Sequence, residues 1–140
     1  MDTVYTAIAH ATGGGRDGHV RSESDRLDLD LRPPKEMGGS GEGTNPEELF
    51  AAGYAGCFLG AFHAAGKQLG KDTSDAAVST SVGIGKREPT GFQLTVTHDV
   101  YAPHLTADET REVARVAHED ICPYSHATRG NVDVTINVVE

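Results

Sequence analysis

The stretch from residue 45 to 62 limits the folds open to this chain more than any other, because it joins a sharp helix start to a long apolar run. Asn45 can cap a helix, Pro46 suits its first turn, and Glu48 lies three residues past the cap. We therefore predict a helix over residues 46–68.

Every residue between Glu48 and Phe62 is apolar or small. The run is too short to span a membrane and is typical of a helix buried by its own protein. Its glycines each cost roughly 1 kcal/mol relative to alanine, so we expect another helix to approach closely or this helix to break. Cys57, one of only two cysteines, lies in the middle of the stretch.

Composition narrows the class of protein. A chain of 140 residues predicts one domain over 1–140, large enough to bury a core without disulfides. The formal net charge of -9 opposes binding to nucleic acid or to anionic membranes. No basic segment followed by an apolar core stands at the N-terminus, so we expect a cytoplasmic location. In that reducing compartment, two cysteines are expected to be free, metal-bound or redox-active rather than permanently joined.

Alternating apolar and polar residues predict strands on both sides of the long helix. They cover residues 4–12, 19–23 and 27–31, which would form an antiparallel meander, 76–87 and 92–101, which would form a hairpin, and 132–138. A second helix is predicted from Thr106, which can cap it with Glu109 at the capping-box position, to Cys122-Pro123.

The two cysteines admit several interpretations. Cys57 alone is most simply a small buried hydrophobic residue, whereas Cys122 lies where a helix stops. The pair lacks the CxxC spacing of metal sites, so any partnership must come from the fold. A zinc site with histidines such as His63, His118 and His126 stays open, as does a Cys-His hydrolase, although no ligand spacing or identifiable base favours either.

A redox role requires fewer assumptions. A thiolate at neutral pH needs a nearby cation, which Arg16 could supply from its glycine-rich loop, and Glu47 could hold that arginine in place. Ten residues of straight helix put Glu47 about 15 Å from Cys57. Either the helix breaks around Gly53, or Arg16 spans part of the gap, or the two residues of one site come from different subunits.

Three segments carry a family resemblance: GGRDG at 14–18, TNPEELFAAGYAGCF at 44–58 and CPYSHATRGNVDV at 122–134. They resemble the organic hydroperoxide resistance proteins, the peroxidase branch of the OsmC-like family, and the likeness runs from near the N-terminus to the last strand. His126 stands where that family usually has asparagine. The loop from Lys86 to Gly91 is also unfamiliar for the family.

The resemblance implies roles for four residues. Cys57 would be the peroxidatic cysteine and Cys122 the resolving one, while Arg16 activates the thiolate and Glu47 orients Arg16. It also implies an α+β fold in which antiparallel sheets wrap around central helices in an intertwined homodimer, with the sites at the interface.

The same resemblance implies a thiol-dependent peroxidase that reduces alkyl and fatty-acid hydroperoxides without a bound cofactor or metal. Dihydrolipoyl groups on a lipoylated protein would reduce the resulting disulfide. Two alternatives remain: a non-enzymatic redox sensor that uses the same cysteine pair, and an OsmC-like protein with another substrate.

Overall fold

A computed structural model describes residues 1–140 and shows an α+β protein. The chain divides into two compact units, Met1–Leu49 and Phe50–Glu140. That the whole chain, residues 1–140, forms a single domain stays a prediction.

The first unit is a small antiparallel sheet, as the meander pattern predicted. Its strands are β1 (Ala9–Gly13), β2 (Gly18–Ser22) and β3 (Asp28–Asp30), in the order β1-β2-β3. The first strand begins at Ala9 rather than near residue 4, because β2 offers partners only as far as the pair Ala9 and Ser22. Only Leu31 and Asn45 are buried in this unit.

The long helix α1 covers Pro46–Leu69, within one residue of the prediction at its C-terminus. The Asn45 side chain accepts a hydrogen bond from the Glu48 amide at 2.8 Å and donates to the Glu48 carboxylate at 3.0 Å, so the predicted cap is confirmed. The helix is continuous through Gly53, which excludes the break considered above.

Helix α1 is longer than the apolar run that ends at Phe62. By length and composition alone it could cross a membrane, with a mean hydropathy of 1.3 over 18 residues. The central helix of a globular core meets the same test, and Tyr54, Phe58 and Phe62 of α1 are fully buried within this chain. That no membrane is involved stays a prediction.

The second unit holds a three-stranded sheet in the order β4-β5-β6, made of β4 (Ala77–Lys86), β5 (Phe92–Tyr101) and β6 (Asp133–Val139). The hairpin of β4 and β5 is antiparallel as predicted, but β6 runs parallel to β5. The expectation of wholly antiparallel sheets is therefore wrong for this pair. A helical crossover separates the two strands, which is the connection that parallel strands need.

That crossover begins with α2 (Ala107–Val116), whose predicted capping box between Thr106 and Glu109 is present in both directions. It continues as a π-helical turn, Ala117–Ile121, and then as a short helix α3, Pro123–Thr128. The sequence pattern predicted neither the π turn nor α3, because it ended the helix at Pro123. Proline is favourable at the first position of a helix, so here it starts one.

The core of the second unit lies between the sheet and the helices. Helix α1 contributes Tyr54 and Phe58, the central strand β5 contributes Val96 and Val100, and α2 contributes Val113. Cys122 is a fully buried member of this cluster, and Cys57 packs against the cluster. The core therefore places both thiols beside apolar side chains.

Candidate active site

The two cysteines, 65 residues apart in sequence, are in contact. Cys57 on α1 and Cys122, just before α3, place their sulfur atoms 3.3 Å apart, and both are free thiols. A disulfide needs a separation of about 2.05 Å, so roughly 1 Å of movement would join them. The fold thus supplies the partnership that their spacing left open.

The π-helical turn sets the position of Cys122. Its closing hydrogen bond runs from the Cys122 amide to the Ala117 carbonyl at 2.8 Å, one residue wider than an α-helical bond. Cys122 is extended, and Pro123 then starts α3. Cys122 therefore lies at a junction between two helical segments, where a small backbone rotation moves its sulfur.

Burial controls the protonation of Cys57. Burial is the largest cause that raises the pKa of this thiol, a hydrogen bond from the Tyr124 backbone amide opposes the rise, and the neighbouring Cys122 adds to it, so that the pKa is about 11. The thiol is protonated at neutral pH in this environment. A nucleophilic role therefore requires a cation near its sulfur.

Arg16 and Glu47 form a bidentate ion pair within the first unit. The guanidinium donates to the two carboxylate oxygens at 3.0 and 2.7 Å. This hydrogen bonding lowers the pKa of Glu47 and raises that of Arg16, so both are charged at neutral pH. Glu47 is only 12% exposed, whereas Arg16 is about half exposed. The arginine predicted from the glycine loop is thus held by the predicted carboxylate.

The turn that carries Arg16 depends on glycine at its end. Gly18 approaches the Thr12 carbonyl so closely that a Cβ would lie 2.2 Å from its oxygen. Arg32 donates a hydrogen bond to the Gly18 carbonyl at 2.9 Å, which stabilises the end of the turn.

A buried polar network involves residues on both sides of Cys122 in the chain, and sequence reasoning missed it. The Tyr54 hydroxyl lies 2.9 Å from Ser125 and 3.1 Å from Thr128, and Ser125 lies 2.7 Å from the His118 ring. Ser125 and Thr128 are both within the CPYSHATRGN segment, which was the available signal. The network ties α1, the π turn and α3 together.

His126 lies outside this network. Its ring accepts from Arg129 at 2.9 Å and faces the Asp120 carbonyl at 3.3 Å, at an exposed position. No three histidine, cysteine or acidic side chains cluster in an arrangement that could hold a metal ion. The zinc alternative therefore gains no support from the arrangement of donors.

Aromatic side chains wall the region next to Cys57. Tyr124 packs against Phe50 and Tyr54 with ring centroids 6.3 and 5.7 Å apart, and Phe50 meets Tyr54 at 6.1 Å. Gly53 leaves room for this packing, because a Cβ there would lie 3.2 Å from the Tyr124 ring. Apolar walls of this kind favour organic ligands over small polar ones.

These features, a thiol pair between a long central helix and a helical crossover, define a class of protein that comparison identifies. The family model described as OsmC-like protein matches residues 39–137, so the chain belongs to the OsmC-like family. Within that family it belongs to the branch of the organic hydroperoxide resistance proteins.

Individual relatives show how far the similarity extends. An organic hydroperoxide resistance protein of Xanthomonas axonopodis pv. citri is 46% identical over 96% of this chain and 94% of its own length. The protein OhrB of Bacillus subtilis is 42% identical over 96% and 98%. The crystal structure of an organic hydroperoxide resistance protein from Legionella pneumophila superposes with a TM-score of 0.93 at 41% identity, covering 99% of this chain and all of that one.

Proposed function

We propose that this protein is a thiol-dependent peroxidase that reduces organic hydroperoxides and gives resistance to them in the cytoplasm. Cys57 is the peroxidatic cysteine and Cys122 the resolving one. The observation that carries the proposal is the 3.3 Å contact between their sulfur atoms beside an apolar wall. The printed names of the relatives, organic hydroperoxide resistance proteins, support the same role.

The first step is attack of the Cys57 thiolate on the terminal peroxide oxygen. The O–O bond breaks, the alcohol leaves after taking up a proton, and a sulfenic acid remains on sulfur. The Cys122 thiol then attacks the sulfenic sulfur, which expels water and forms the disulfide. The hydroperoxide is reduced by two electrons and the two cysteines supply them.

Formation of the Cys57 thiolate is the step that requires the most stabilisation by the protein. To bring a pKa of about 11 near 7, the thiolate must gain roughly 5 kcal/mol over the thiol. An exposed ion pair contributes at most about 1 kcal/mol, whereas a unit charge about 4 Å away at an effective dielectric constant of 20 contributes about 4 kcal/mol. We assign this cation to Arg16, oriented by Glu47.

Turnover requires a reductant for the disulfide. We assign this to dihydrolipoyl groups, either on a lipoylated protein or as free dihydrolipoamide. Such a dithiol exchanges with the disulfide, returns both cysteines to thiols and leaves as its own cyclic disulfide. The reductant is a co-substrate, and the cycle uses no bound cofactor or metal.

A homodimer is part of the proposal, and two features support it. Val4 and Tyr5 in the first unit are 99% and 78% exposed, which leaves apolar surface for another subunit to cover. One exposed face of α1 carries only small residues at four-residue intervals: Ala52, Gly56, Gly60 and Ala64. Such a face lets a second helix approach closely.

The proposal is tested by mixing reduced protein with one equivalent of tert-butyl hydroperoxide, linoleic acid hydroperoxide or hydrogen peroxide. Thiol loss is then followed with and without dihydrolipoamide. We expect fast oxidation by the organic peroxides and continued consumption only when dihydrolipoamide is present. Oxidation without turnover would instead favour a redox sensor.

Two variants assign the cysteines in the same assay. Cys57→Ser should consume no hydroperoxide. Cys122→Ser should complete one turnover and then accumulate sulfenic or sulfinic acid on Cys57, detected by mass spectrometry. Full steady-state activity of Cys122→Ser would exclude its resolving role.

A further inference from the structure

The second unit contains a cavity of about 640 Å³ at the tip of the β4–β5 hairpin. Its lining is mixed, with apolar side chains from Phe50, Phe92, Leu94 and Val132 and polar ones that include Arg87, Gln93 and Asn131. The volume is within the range of small-molecule sites. Arg87 belongs to the 86–91 loop, which the proposed function leaves without a role.

A neighbouring cavity of about 250 Å³ is lined by Phe50, Tyr124, Ala127 and Thr128, three of which also line the larger one. The backbone amide of Tyr124 in turn donates to the Cys57 sulfur. Phe50 precedes Cys57 by two helical turns, roughly 10 Å along α1. About 10 Å along the helix axis therefore separates Cys57 from Phe50, which lines both cavities.

Arg87 is the one charged residue among those that line the two cavities. Its side chain has no ion pair and no hydrogen bond within the chain. In a protein with a formal net charge of -9, an unpaired guanidinium in a cavity that adjoins a smaller, mostly apolar one is complementary to an anion with an apolar body. Arginine also matches a carboxylate with two parallel hydrogen bonds.

We propose that Arg87 binds the carboxylate of a fatty-acid hydroperoxide whose acyl chain fills the two cavities and whose peroxide group reaches Cys57. This rests on the proposed peroxidase function and names Arg87 as a residue that determines its specificity. A tert-butyl group cannot bridge the distance between the sulfur and the cation. A long acyl chain with a hydroperoxide in its middle can.

The test compares linoleic acid hydroperoxide with its methyl ester, which has the same chain and no negative charge. The quantity measured is the ratio of kcat/KM for the acid to kcat/KM for the ester. Because both values come from one protein sample, the ratio does not depend on the fraction that is folded. Arg87→Gln should lower this acid-to-ester ratio about threefold to tenfold through a higher KM for the acid. An effect of this size is expected when a charge-assisted hydrogen bond is lost at a partly exposed site.

Two further variants complete the experiment. Lys86→Gln removes a neighbouring positive charge that does not line the cavity, and it should keep the wild-type ratio. Arg87→Lys keeps the charge and should retain most of the preference for the acid. An unchanged ratio in Arg87→Gln, or an equal fall in Lys86→Gln, overturns the role of Arg87. If wild-type protein consumes neither of these compounds nor tert-butyl hydroperoxide, the peroxidase function itself fails.

Discussion

Arg16 and Glu47 form an ion pair in which the guanidinium is held in place and stays partly exposed. The carboxylate is largely buried and binds the guanidinium in a bidentate manner, while about half of the arginine side chain stays open to solvent. An arginine held in this way keeps its charge and presents its remaining donors in a fixed direction. The pair persists at neutral pH because the pKa of Glu47 is lowered.

Replacing Arg16 should slow the oxidation of Cys57. We expect Arg16→Ala to lower the rate of thiol loss with tert-butyl hydroperoxide at pH 7 by about tenfold to a hundredfold, because the thiolate loses its cation. The rates are measured by stopped-flow thiol detection. Arg21→Ala is the matched control, since Arg21 lies on β2 and pairs with Asp25 instead. Equal rates in wild type and Arg16→Ala would remove Arg16 from the site.

His98 is a buried histidine with an incomplete set of hydrogen bonds. It is fully buried on β5, where its ring stacks on Phe58 and meets the Tyr54 ring edge-on, both at 4.4 Å. Nδ1 lies 2.8 Å from the Thr80 hydroxyl, and Nε2 has no partner. Burial, and then the charge of His118, lower its pKa to about 4.

This histidine should make stability depend on pH. Between about pH 6.5 and 4 the unfolded chain binds a proton at His98 that the folded chain does not, so stability falls as pH falls through this window. The loss from this group approaches roughly 3 kcal/mol at pH 4. His98→Leu should flatten the decline of Tm with pH over the same range. His104→Gln is the control, because the Asp75 hydrogen bond raises the pKa of His104 and gives the opposite sign. Equal slopes in wild type and His98→Leu would contradict this prediction.

The crossover from β5 to β6 is the element that positions Cys122. Its first helix is started by the capping box of Thr106 and Glu109, it widens into the π turn, and it restarts as α3 at Pro123. Hydrogen bonds among Tyr54, Ser125 and His118 connect α3 and the π turn to α1. The crossover also forces β6 to run parallel to β5.

Removal of the cap should cost stability without affecting the chemistry of the thiols. Thr106→Ala loses the hydrogen bond from the Glu109 amide at 3.1 Å, so we expect a decrease of about 1 kcal/mol in the free energy of unfolding. Urea denaturation followed by circular dichroism measures it. Thr90→Ala, at an exposed turn position, should change the value by less than about 0.5 kcal/mol. A similar effect of both variants would show that the cap contributes little.

The two compact units differ in how they are stabilised. The second has a continuous core between its sheet and helices, whereas the first buries only Leu31 and Asn45. So small a buried set cannot hold 49 residues together by apolar burial alone. This imbalance, together with the small-residue face of α1, is the physical argument for the homodimer.

Filling that helical face should weaken the dimer. At Gly60 a Cβ would meet nothing within 4 Å in this chain, so Gly60→Leu is expected to fold as a subunit and to clash only with a partner helix. We expect sedimentation equilibrium to give about twice 14.8 kDa for wild type and a shift toward the single-chain mass for Gly60→Leu. Gln68→Leu, at an exposed position near the end of α1, should stay dimeric. A monomeric wild type would refute the dimer.

Local patterns in the sequence determined most of the elements and several of their ends. Alternation of apolar and polar residues gave the strands, and side-chain caps gave the starts of α1 and α2, because these signals act over a few neighbouring residues. The first strand came out too long and α3 was missed, because the extent of a strand depends on a partner strand and a proline both ends and begins helices.

Only the tertiary structure could join residues that lie far apart in the chain. The contact of Cys57 with Cys122 and the pairing of Arg16 with Glu47 depend on packing, since no spacing rule connects residues separated by 65 and 31 positions. The parallel pairing of β5 with β6 and the burial of His98 likewise depend on how elements pack. The sequence by itself determined which reactive groups this protein has and the helix that carries Cys57. The packing around that helix decided which of those groups meet, because contact between distant residues is set by the shared core and not by local preference.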